Sequence, residues 1–122
     1  MPTIRWADAR GDAWLDAFSP AAVRIGVKGF LSIAIAKSLA AALARELAPS
    51  ARRHVFIDFE RLSAYERGAR FALTRVLEDV AVHVLFSDRV AGGARELAHR
   101  ILARDVELLR DRPTFERALG RR

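Results

Sequence analysis

The sequence predicts an α/β fold: one small domain with a mixed, mostly parallel sheet of four to five strands and about four helices. Three observations lead there. Short apolar stretches of strand character, "AVRIGVKGF", "HVFIDF" and "AVHVLF", recur along the chain. Between them lie segments whose apolar residues fall three and four apart, as on a helix face. The length of 122 residues, 52% of them apolar and 30% charged, suits one core and one solvated surface. Residues 1–122 are therefore read as a single domain, with 1–20 as an N-terminal strand-and-turn segment.

In order, Thr3 to Ala7 reads as a short strand and Arg10-Gly11-Asp12 as a turn. Trp14, Leu15 and Phe18 form a small apolar cluster closed by Ser19-Pro20. From Ala22 to Phe30, Val23, Ile25 and Val27 alternate with Arg24, Gly26 and Lys28, which predicts a strand with one face in the core. Ser32 is placed to cap a helix that carries Ile35, Leu39, Ala42, Leu43 and Leu47 on one face and stops at Pro49-Ser50. His54 to Phe59 predicts a central strand. A helix follows from Ser63 or Ala64, with Ser63 as its cap and Tyr65, Ala69, Leu73, Val76 and Leu77 facing inward. Arg67, Arg70 and Thr74 then share an outer face, and Glu66 is spaced to pair with Arg70.

Ala81 to Phe86 predicts another core strand, and Gly92-Gly93 lead into a helix carrying Leu97, Ala98, Ile101 and Leu102. Val106 to Leu109 reads as a last strand. Arg112-Pro113 opens a last helix, with Phe115, Ala118 and Leu119 inward and Gly120 as its C-cap. Alternation of this kind implies parallel strands joined by right-handed crossovers. In so small a sheet all helices can lie on one face. An exposed edge strand at Val23 to Lys28 would let two copies pair as a homodimer.

The net charge of +6 does not point to nucleic acid. Lys28 and Lys37 are the only lysines among 21 basic residues, and the arginines are spread through every segment between acids. A nucleic-acid binder gathers such charge on one face. With no cysteine, disulfides, thiol chemistry and cysteine-ligated zinc are excluded. No apolar run approaches the roughly 18 residues that cross a membrane. The early charge in "MPTIRWADARGD" is unlike a secretion signal, which makes a cytoplasmic protein the expectation.

Few residues suggest catalysis. Asp58 and Glu60 are two apart on a strand, a spacing that could pair carboxylates, but the simpler reading has Asp58 bonded to the following loop or to an arginine. His54, His83 and His99 lack the spacing of a zinc helix, with His83 alternating against Val82 and Val84. No nucleophile elbow is present. "SDRVAGGAR" enters a helix from a strand, so Gly92, Gly93 and Arg95 form a candidate anion site, although two glycines more simply make a turn. No metal, catalytic residue or cofactor is expected. The interaction surface expected is Ser63, Tyr65, Glu66, Arg67, Arg70 and Thr74.

The order of elements from about Ala22 to Leu119 resembles the STAS domain, the sulphate transporter and anti-sigma factor antagonist family. The local match is the strand His54 to Phe59 with Asp58, followed by Glu66-Arg67-Gly68-Ala69 where the family carries an Asp-Ser-Ser-Gly-like motif. The glycine survives and the serines do not. Arg67 stands where the phosphorylatable serine would be. The resemblance implies a non-enzymatic module that binds a protein partner through residues 58–74, either an unknown regulator or a kinase-like anti-sigma factor. Serine phosphorylation at that position would not switch it. The alternative implied by related families is a small-ligand or lipid-binding domain, with a pocket between helices and sheet.

Overall fold

A computed structural model of the chain describes residues 3–47, 54–86 and 106–122. The expected helix after Gly92-Gly93, His99 and the candidate anion site Gly92, Gly93 and Arg95 lie outside the described residues. The sheet has six strands in chain order: β1 (Ile4–Ala7), β2 (Gly11–Asp16), β3 (Ala22–Leu31), β4 (His54–Tyr65), β5 (Ala81–Leu85) and β6 (Val106–Leu109). The first two pairings are antiparallel and the other three parallel. Three helices are described: α1 (Ile33–Leu47), α2 (Ala69–Val76) and α3 (Arg112–Gly120). The α/β class and the mostly parallel sheet are as expected.

The sheet exceeds the expected strand number because Gly11–Asp16 is a strand rather than a turn and a loose cluster. The turn lies just before it. Asp8 Oδ1 accepts from the Arg10 and Gly11 N–H groups at 2.9 and 3.0 Å. Ala13 and Leu15 then point into the core, while Trp14 lies on the other face across Gly26. At the paired end Gly29 takes φ +79, the only positive φ among the described residues, with Arg10 close against it.

Because the strands follow chain order, the right-handed crossovers through α1 and α2 fall on one face. There Ile35, Leu39 and Leu43 of α1 and Ala69 and Leu73 of α2 pack on Val23, Ile25, Val27, Val55, Ile57 and Val84. The helices do not all share that face. The second face carries α3, whose Phe115 and Leu119 close over Ala22, Phe56, Leu85 and Leu109. The alternating pattern of β3 has a different cause from the one expected. Arg24 reaches α3, and Gly26 makes room for Trp14. Moreover, β3 is no edge; β2 and β4 flank it, so it cannot pair two copies.

Candidate protein-interaction site

The corner between β4 and α2 departs most from expectation. β4 does not stop at Phe59 but pairs with β3 as far as Leu31 opposite Tyr65. Its register slips between Gly26 and Lys28 and again between Gly29 and Phe30. These irregularities carry a charged stretch, Glu60 to Ser63, through a strand whose apolar members remain inward. Leu62 is buried, and Ser63 is exposed in the strand. Ser63 therefore caps nothing. The N-cap of α2 is Gly68, which makes no side-chain cap bond.

Glu66 couples this corner to α1. Its N–H donates to the Leu31 carbonyl at 2.8 Å, and its Oε1 accepts from the Ile33 N–H at 2.9 Å. Ser32 caps the same helix as expected, accepting from the Ile35 N–H at 3.1 Å and donating to Asp8 Oδ2 at 2.8 Å. Two side chains thus satisfy free N–H groups at the start of α1, and the Glu66 carboxylate also suits its positive end. The Glu66–Arg70 pair expected from spacing is replaced by this cap, because Arg67 and Gly68 form a turn rather than helix.

For the same reason Arg67, Arg70 and Thr74 are not one helical stripe. Arg67 is exposed in the turn, two residues before the helix. Arg70 and Thr74 lie one turn apart on α2, where the Thr74 hydroxyl donates to the Arg70 carbonyl at 2.9 Å. Tyr65 is half-buried against the main core. Beside Arg70 the helix carries a residue that spacing did not single out. Phe71 is 63% exposed, and the Arg70 guanidinium sits 4.6 Å from its ring centre. Its sequence signal is an aromatic residue two positions from both Ala69 and Leu73, on the side of the helix away from them.

Asp58 and Glu60 are engaged by one arginine. Arg112 donates to Asp58 Oδ2 at 2.8 Å and to Glu60 Oε1 at 3.2 Å, and the Asp58 Oδ1 accepts from the Glu60 N–H. Arg112 also reaches Glu116, which pairs with Arg24 at 2.9 Å. The bond to Asp58 raises the Arg112 pKa further. This network pins α3 to the sheet, with Asp58 bonded to an arginine as the simpler reading expects. Among the described residues no group of three metal-ligating side chains could hold a metal ion.

No protein-family model matches the chain, and no curated protein matches it. Among solved structures it is similar to the "Structure of the Anti-Sigma Factor Antagonist SpoIIAA in its Unphosphorylated Form", with a TM-score of 0.64 over 87% of this chain and 95% of that chain, at 20% identity. At that identity the likeness concerns the fold. With its mixed sheet, sequential parallel strands and the α1–α2 layer, the chain has the STAS-like fold of an anti-sigma factor antagonist.

Proposed function

We propose that the chain is a regulatory module that binds another protein through the β4–α2 corner, without catalysis and without a serine switch at the helix start. The observation that carries this reading is Phe71. A large apolar ring left 63% exposed costs solubility and adds nothing to the core. With the Arg70 guanidinium against its ring, it forms the kind of aromatic and arginine pair that anchors interfaces. The fold supports a protein partner of the anti-sigma type. The local charge calls for a partner surface that offers carboxylates around an apolar recess. Arg67 in the place of a phosphorylatable serine makes the contact independent of a serine kinase, since arginine has no hydroxyl to phosphorylate. The lipid-binding alternative draws less support. Among the described residues, the groove between β6 and α3 has Leu109 and Ala118 in its wall but also Glu107, Thr114, Arg117 and Arg121, which hold water more readily than an acyl chain.

A partner of the anti-sigma type, titrated against purified variants, tests the reading. Reversing Arg67 and Arg70 to Glu together, or Phe71 to Ala alone, weakens binding by at least about tenfold while the Tm is unchanged. Undiminished binding by both variants overturns it.

A further inference from the structure

A side-chain chain on the second face of the sheet plays no part in that corner. His54, His83 and Glu107 stand on the adjacent strands β4, β5 and β6, with His83 directly opposite Glu107 in the pairing. His83 is only 7% exposed. Its ring stacks on Phe56 at 4.3 Å, and Phe56 meets Phe115 of α3 edge-on at 5.6 Å. Both ring nitrogens of His83 are engaged. Nδ1 is 2.9 Å from Glu107 Oε1, and Nε2 is 3.0 Å from His54 Nδ1.

The chemistry of these groups orders the protons. An ionised carboxylate only accepts, so His83 Nδ1 carries hydrogen. In the neutral chain His83 Nε2 is then bare and accepts from His54 Nδ1–H, which leaves His54 Nε2 as the open end. One added proton fits without moving a ring. It binds at His54 Nε2, the Nδ1 hydrogen of His54 passes to His83 Nε2, and the resulting imidazolium lies between Glu107 and His54. A second proton does not fit, because it sets two N–H donors against each other at 3.0 Å. We propose that Glu107, His83 and His54 form a proton-binding relay that takes up one proton as a unit and parts on taking a second, loosening β6 and α3 in acid.

The surrounding charges favour this order. Glu107 supplies the negative charge beside His83. Burial, Arg122 and His83 together hold His54 below the usual histidine value. Arg117 of α3 and Arg121, just after that helix, line the groove beside Glu107. From β3 the residue opposite His54 is the uncharged Ala22, and Arg24 beyond it is paired with Glu116. Asp58, further along β4, is held by Arg112. The relay spans β4 to β6, and β6 is the edge of the described sheet, so its parting releases that edge first.

Nuclear magnetic resonance of the imidazole nitrogens, titrated from pH 8 to 5, tests the proposal. A scalar coupling between His54 Nδ1 and His83 Nε2 is expected, with one shared midpoint for the first proton. Amide exchange in β6 and α3, corrected for its intrinsic pH dependence, should rise in acid before that of α1, by about tenfold for a hydrogen bond lost. The variant His54→Ala, folded by circular dichroism, should titrate at His83 alone and lose the acid-induced exchange. Glu107→Gln should lower the shared midpoint. Separate midpoints without coupling in the parent protein, or acid loosening that persists in His54→Ala, overturns the relay.

Discussion

Arg112 shows how a single residue decides between chemistry and structure. Asp58 and Glu60 have a spacing that suits an acid–base pair, yet one guanidinium holds both. The Asp58 side chain is 7% exposed, whereas Arg112 is 38% exposed, so the pair is only partly shielded from water. Removing the arginine leaves a buried carboxylate with one backbone donor. Arg112→Ala should therefore destabilise by about 2–3 kcal/mol, below the full cost of breaking a wholly buried pair. The double variant Arg112→Met with Asp58→Asn should recover part of that loss, as read by urea denaturation. Equal loss in the single and double variants would mean that the ion pair does not hold α3. The partner of Asp58 was foreseeable as an arginine. Which of so many arginines was not, because Arg112 lies 54 residues away.

Among the elements, β2 and β4 explain what local pattern conceals. In "GDAWLD" Ala13 and Leu15 alternate with Asp12 and Asp16, the ordinary signature of a strand. Trp14 disguises it, since an apolar ring on the outer face makes the run look like a cluster. The ring is accommodated only because Gly26 faces it across the pairing. A methyl group at Gly26 would overlap the Trp14 indole. Gly26→Ala should cost about 1–3 kcal/mol by overpacking, and adding Trp14→Ala should restore much of it in a double-mutant cycle of melting temperatures. Simple additivity would contradict this pairing. In β4 the charged Glu60 and Arg61 resemble the end of a strand. Pairing with β3 carries the strand on to Tyr65, which displaces the helix start from Ser63 to Ala69. A helix can be recognised from its apolar spacing, but its first residue depends on where the previous strand loses its partner.

At the scale of the whole molecule, the lowered groups among the described residues fall in two separate pH windows. His54 binds protons less readily when folded than its ordinary value of 6.5, chiefly through burial. Below that value the unfolded chain takes up the proton first. The stability of the neutral ring is thus complete above about 6.5 and is lost as the pH falls further. Asp8 and Asp111 are also lowered, from 3.8, by backbone N–H donors in the β1–β2 turn and at the start of α3. Their contribution is present above 3.8 and disappears only in stronger acid. Urea midpoints measured from pH 7.5 to 5.5 should fall for the parent protein and stay nearly flat for His54→Gln. A parallel fall in both would place the titrating group elsewhere.

The sequence by itself determined the α/β class, the strands at Ala22, His54, Ala81 and Val106, and the cap at Ser32, because periodicity and capping act within a few residues. Tertiary structure decided the rest. Only the packed sheet makes Gly11–Asp16 a strand, sends α3 to the opposite face, redirects Glu66 from Arg70 to the start of α1, and lines up His54, His83 and Glu107. Each of these joins residues distant in the chain, and a partner chosen across space leaves no periodic trace along the sequence.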